Sequence, residues 1–422
     1  MATPFRIHGP IVSPASENRV EWHSQGAMVV DEHGKILWRD DEALLPENFS
    51  PIQKICTSDI IMPGFVDAHV HLPQHDYRGR FGTSLLDWLD HFIYPAEQRF
   101  ADDTVARESS RCFFRALRQV GTCTAMVFAS VHESSTHIAF EQARESGLRV
   151  LMGKTLMDRG APLPLLEQAP EALTAMERLI ERWHKATDKL SYVVTPRFAP
   201  ACSESLLRIA STVAERHDTH IQTHINESPN EVRLVSSLFP NASSYSDVYR
   251  NTGILTPRTI LGHNIHTDDS QLTLLKRYGC SIAHCPDSNL FLGSGRFPLE
   301  AHQRTGLRLC LGSDVGAGTT LSMFSIMRSM THAQGRALHP FLPLYYATRG
   351  GAVALGLDHE FGSLDPGKYA DFITVAVDLD PRSLPAMSAE DVASLLVYRT
   401  PEERVRRLWV GGEEIPPDPY DK

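Results

Sequence analysis

Between residues 60 and 333 the chain alternates eight times between a short apolar run with the texture of a buried strand and a longer segment with helical spacing. Strands are expected at 60–72, 122–128, 149–156, 191–197, 219–224, 259–263, 281–284 and 307–312, with helices at 102–120, 134–146, 171–185, 204–216, 230–238, 268–278, 299–304 and 320–333. Parallel strands need a crossover of a dozen or more residues, usually a helix, so eight such units predict an α/β fold, a TIM-like (β/α)8 barrel. An open doubly wound sheet is the competing architecture. Ser203 is placed to cap the helix at 204–216, and Gly147 to close that at 134–146 in the left-handed conformation.

The flanks have a different texture. Up to about residue 60 turn signals come too often for helices, and strand runs stand at 5–12, 27–31 and 35–38. After a helical segment at 343–357 the same texture returns at 372–377 and 406–410. The two chain ends are therefore expected to form one small β-sandwich domain from residues 1–60 and 359–422, flanking a catalytic barrel at 61–358.

In such a barrel the functional residues gather at the C-terminal ends of different strands. His69 and His71 end the first, two residues apart and so on one side of it. Alone, that pair reads as a surface feature of an edge strand. His224 ends the fifth strand and His263 the sixth, and Asp314 holds the matching position on the eighth. Five such groups describe a catalytic zinc or iron site with a position left for water. Glu227 follows His224 by three residues. A metal lowers the pKa of its water to about 7, so a carboxylate beside it suits a general acid/base. The ordinary alternative is an exposed Glu at a helix start.

The net charge of −10 and pI of about 6.0, with scattered Lys and Arg, argue against a nucleic-acid partner. No run of 18 apolar residues occurs, and residues 1–6 lack an apolar signal core, so a soluble, cytoplasmic protein with no membrane partner is expected. Seven cysteines, widely spaced and mostly in apolar stretches, read as reduced thiols.

The run Pro63-Gly64-Phe65-Val66-Asp67-Ala68-His69-Val70-His71, with His224, His263 and Asp314, resembles the metal motif of the amidohydrolase superfamily. Within it, Leu85-Leu86-Asp87-Trp88-Leu89, Tyr94-Pro95-Ala96-Glu97, Thr195-Pro196-Arg197-Phe198-Ala199-Pro200, Ser281–Leu290 and Gly312–Gly318 resemble the guanine deaminase family, and the similarity spans about residues 5–413. The resemblance implies one zinc per chain, with iron as the other candidate, held by His69, His71, His224, His263 and Asp314. The fourth strand has no lysine to bridge a second metal, and Lys154, on the third, is expected to support the site by a hydrogen bond or ion pair.

Substrate contacts implied by the resemblance are Gln74, Trp88, Arg197, Phe198 and Glu227. Arg197 suits the O6 and N7 edge of a purine, Phe198 its flat face, Gln74 an edge with both donors and acceptors, and Trp88 the closing of the pocket. The implied reaction converts guanine to xanthine and ammonia in a homodimer, with Glu227 and Asp314 moving protons. Alternatives are an aminohydrolase acting on another purine, a pterin or a triazine, and a non-catalytic scaffold of the same fold. A cytidine-deaminase-type zinc fold is set aside because no Pro-Cys-x-x-Cys occurs.

Overall fold

The computed structural model describes residues 3–82 and 84–417. The chain divides into two compact units, one of Met1–Asp67, Arg115–Thr124 and Ser322–Lys422, the other of Ala68–Phe114 and Ala125–Leu321.

In the first unit both chain ends contribute to one eight-stranded sheet. Its strand path runs Glu413–Ile415, Val405–Val410, Phe372–Val375, Ile60–Pro63, Phe5–Ser16, Arg19–Val30 and Ile36–Asp41, with Gln53–Cys56 pairing beside Phe5–Ser16. The ends meet at Ile60–Pro63, which pairs antiparallel with Phe372–Val375 and parallel with Ile11. Ile7, Ile11, Met28, Ile61, Leu364, Phe372 and Trp409 form its core, and the rings of Phe372 and Trp409 stack 4.3 Å apart.

The expected strand at 60–72 is in fact two strands that serve different sheets. Ile60–Pro63 belongs to the chain-end sheet and Phe65–His71 to the barrel, with Gly64 between them. A Cβ at residue 64 would collide with Cys123 Sγ, so only glycine lets the chain pass from one sheet to the other there. An unbroken apolar run hides that junction, because both strands are buried on both faces.

The barrel strands are Phe65–His71 (β1), Thr122–Phe128 (β2), Arg149–Gly153 (β3), Leu190–Pro196 (β4), His220–Ile225 (β5), Thr259–His263 (β6), Ser281–His284 (β7) and Arg308–Leu311 (β8). They pair in sequential order from β1 to β8, with the two-residue strand Thr155–Leu156 beside β4. Past the end of β8, Asp314 N–H donates to His69 O at 2.8 Å and His71 N–H donates to Val315 O at 2.9 Å. The circuit from β8 back to β1 is thus completed by residues that carry the candidate site.

Ser203 accepts from Leu206 N–H at the start of helix Glu204–His217, and Gly147 ends helix Glu133–Ser146 at φ +74°, as their sequence positions predict. The single helix expected at 343–357 is two, Phe341–Tyr346 and Arg349–Ala354. Thr348 between them leaves helical geometry at ψ −100°, and Gly350 and Gly351 give the segment little intrinsic helical support. The connection after β1 carries two short helices the periodicity does not predict, Leu85–Trp88 and Tyr94–Gln98.

Candidate active site

All five predicted ligands and Glu227 lie at the C-terminal mouth of the barrel and are buried. His69 and His71 share a face of β1, with ring centroids 5.1 Å apart. Gly262 and Gly312 make room for the first of them. A Cβ on Gly262 would stand 2.7 Å from His69 Cε1, and one on Gly312 2.7 Å from His69 Cβ. Gly262 therefore faces the barrel interior, and strict alternation would turn His263 outward. His263 instead adopts φ +70°, followed by Asn264 at +54°, and its ring enters the mouth. Asn226 and Asp314 have φ of +51° and +50°. Non-glycine residues rarely take this conformation, and here four of them sit at strand ends around one site.

The ligand atoms of His69, His71, His224 and Asp314 all lie within 4.8 Å of one another. Asp314 Oδ1 stands 3.2 Å from Nε2 of both His69 and His71, and its Oδ2 3.6 Å from His263 Nε2. His224 Nδ1–H donates to Arg197 O at 2.6 Å, and His263 Nδ1–H to Asn289 Oδ1 at 2.9 Å. In the neutral ring each bond leaves an unprotonated Nε2 pointing inward; burial lowers His263, but the carboxylates of Glu227 and Asp314 outweigh it and raise this ring above the ordinary imidazole value. Burial pushes His69 down to about 4 and also lowers His71 and His224, so these rings are neutral as metal ligands must be. His71 Nε2 and His224 Nε2 face each other at 3.1 Å. A nitrogen-rich pocket of converging lone pairs, closed by one carboxylate, fits a cation. Cys285 forms a second cluster with His69, His263 and Asp314, and its thiol is buried.

Burial pushes the Glu227 carboxyl up to about 7, against the pull of His263, whose Nε2 is 3.5 Å away. Burial would raise Asp314 as well, but the histidines around it, His263 foremost, hold it well below the usual carboxylate range. The two carboxylates are thus driven apart, as an acid/base pair requires. Glu227 accepts from Ser294 Oγ at 3.3 Å. Its backbone N–H donates to Glu231 Oε2 at 2.9 Å, and Ser228 and Glu231 close a capping box on helix Pro229–Leu238.

A cavity adjoins these groups, lined by Gln74, Trp88, Arg197, Phe198, His224 and Glu227 among others. All of the expected substrate contacts therefore face one space. Gln74 and Arg197 are tied together by a residue to which the sequence reading gave no role. Glu97 accepts from Gln74 Nε2 at 3.0 Å and from Arg197 Nη1 at 2.8 and 2.6 Å. Its signal was present in Tyr94-Pro95-Ala96-Glu97, a charge that the short helix buries together with Tyr94 and Ala96. Asn289 lay within the matching stretch Ser281–Leu290 without a role of its own, and Ser294 and Glu231 had no local signal. Lys154 is not among the residues lining this cavity: it pairs with Glu167 in a separate cleft with His132, Glu133 and Arg178. Lys154 follows the last residue of β3, and its ion pair is made with Glu167 rather than with a residue of the site.

A model of the amidohydrolase family matches residues 60–415. The chain is 39% identical over 364 residues to guanine deaminase of Escherichia coli, covering 84% of this chain and 83% of that protein. It is 37% identical to a probable guanine deaminase of Deinococcus radiodurans, covering 96% of each. The crystal structure of guanine deaminase from C. acetobutylicum with bound guanine in the active site superposes with a TM-score of 0.91 at 26% identity, over 98% of this chain and all of the other.

Proposed function

This chain belongs to the amidohydrolase family, and we propose that it is a guanine deaminase, hydrolysing guanine to xanthine and ammonia. The observation that carries this reading is the single cavity in which the His/Asp cluster and Glu227 face Gln74, Arg197 and Phe198. A flat, neutral purine fits that lining. Arg197 offers N–H donors to the O6 and N7 edge, Gln74 a second polar contact, and Phe198 an apolar face, with Trp88 walling the outer side.

His69, His71, His224, His263 and Asp314 would hold the metal, taken as zinc from their chemistry, although iron suits the same set. When bound, the ion supplies a nucleophilic water at neutral pH. Glu227 takes a proton from the attacking water and delivers it to N3 as the water oxygen bonds to C2. Its carboxyl, poised near neutrality by burial, suits both transfers. Asp314 passes the remaining hydroxyl proton to the amine. The C2–N bond then breaks, ammonia leaves, and a carbonyl forms at C2.

We assign catalysis to residues 61–358, which hold every proposed site residue, and the small domain to 1–60 and 359–422, with residues 61–63 completing the sheet of the latter. We also take the protein to work as a cytoplasmic homodimer in purine breakdown; light scattering on the purified chain tests the dimer. No helix among the described residues is long and apolar enough to cross a membrane. The functional test is incubation with guanine while ultraviolet absorbance and ammonia are followed, alongside adenine, a pterin and a triazine. Guanine alone should yield stoichiometric ammonia, and chelation should stop it. A metal-loaded protein that leaves guanine untouched overturns the reading.

A further inference from the structure

We propose that Glu97 sets the charge preference of the purine pocket: by neutralising Arg197 and fixing the Gln74 amide it makes the site take a neutral oxopurine and disfavour an anionic one. The inference rests on the deaminase reading and extends it to substrate and product discrimination.

Glu97 lies on Tyr94–Gln98, whose Tyr94, Ala96 and Glu97 are buried, and its side chain is only 5% exposed. Both of its oxygens accept from Arg197 Nη1, and Oε1 also accepts from Gln74 Nε2. Among the described residues, Arg197 donates no other hydrogen bond from its side chain, so Nε and Nη2 remain for a ligand. A buried guanidinium with open donors and no counter-charge is an anion site. Glu97 removes that net charge while leaving the donors in place. Tyr94 lies under the same guanidinium, with 5.4 Å from its ring centroid to the central carbon, and limits its movement.

Gln74 is fixed at both ends. Its Oε1 accepts from Gly316 N–H at 3.2 Å while Nε2 donates to Glu97. A flipped amide would set NH2 against an N–H and a carbonyl against a carboxylate. One N–H and one lone pair are therefore presented to the ligand in fixed positions.

The discrimination matters for turnover. Replacing an amino group by a second ring carbonyl makes the product a stronger acid than the substrate. An uncompensated Arg197 would hold the product's anion and slow its release.

The test compares hypoxanthine, neutral at pH 7, with urate, a monoanion at that pH, by calorimetric binding to the metal-loaded protein. The wild type should bind hypoxanthine about tenfold or more tightly than urate. Glu97→Gln should shift that ratio toward urate by about tenfold or more, and raise KM for guanine more than it lowers kcat. Glu97→Asp should keep the wild-type order, and Glu97→Gln combined with Arg197→Gln should lose the gain for urate. Equal weakening of both ligands by Glu97→Gln overturns the proposal. So does a wild type that binds urate as tightly as hypoxanthine, a result that does not depend on the variant folding. Guanine turnover by the wild type is measured first: its absence defeats the deaminase reading, whereas the binding ratios test Glu97 alone.

Discussion

A neutral imidazole binds a cation only through a nitrogen that carries no proton, and at His224 and His263 that choice is made by the atom behind the ring. Arg197 O and the Asn289 carbonyl take the Nδ1 protons, and the inward nitrogens are left as lone pairs. Glu227 stands beside His263 without sharing its bonds, so replacing its carboxylate by the isosteric amide should leave the metal site whole. Glu227→Gln is expected to keep its metal by elemental analysis and lose about a hundred- to ten-thousandfold in kcat. Near-normal turnover of this variant removes Glu227 from the mechanism. Gly262 acts by what it lacks: a methyl group there would stand 2.7 Å from His69 Cε1. Gly262→Ala should weaken metal binding in a chelator-competition titration while far-ultraviolet circular dichroism stays unchanged. Undiminished affinity would show that the ring can shift without cost. His69, His71, His224, His263 and Asp314 are legible in the sequence because each ends an apolar run. Asn289 and Gly262 are not, since their effect depends on a neighbour far away in the chain.

At the scale of elements, the strand ends and the helix starts after them place the chemistry. Glu227 sits between the end of β5 and helix Pro229–Leu238, whose capping box ties Ser228 to Glu231. Glu231 also accepts from Tyr245 OH at 2.8 Å, so the turn is held from a second helix, Tyr245–Asn251. Ser228→Ala removes one cap and should cost about 1 kcal/mol in denaturant unfolding. Because the same turn carries Glu227, the variant should also lower kcat more than it raises KM, with metal content unchanged; a stability loss with intact kcat would separate the cap from the site. Strands β6 and β7 fall at their expected residues because their turn signals are sharp at both ends. The run at 60–72 misled for the opposite reason: hydrophobicity continues across Gly64 while the partner strands change.

For the molecule as a whole, a metal that binds only the folded site stabilises it by mass action, by about 4 kcal/mol where free metal exceeds its Kd a thousandfold. Stripping the metal with a chelator should lower Tm by several degrees, and zinc should restore both Tm and guanine turnover. A Tm that does not move on verified metal loss would mean the His/Asp cluster contributes nothing to folding stability. The seven cysteines form no disulfide among the described residues, so thiol reductants should leave this Tm unchanged. The strand-helix alternation and the polar residues ending each apolar run were readable in the chain, because periodicity and burial are local properties of the order of residues. They determined the barrel, the five candidate ligands and Glu227. Only the tertiary structure decided that one apolar run serves two sheets, that left-handed residues turn His263 and Asp314 inward, and that Glu97 binds Arg197 and Gln74. Those features come from pairings between residues 100 and more positions apart in the chain, and no local pattern encodes a contact that exists only once the chain has folded.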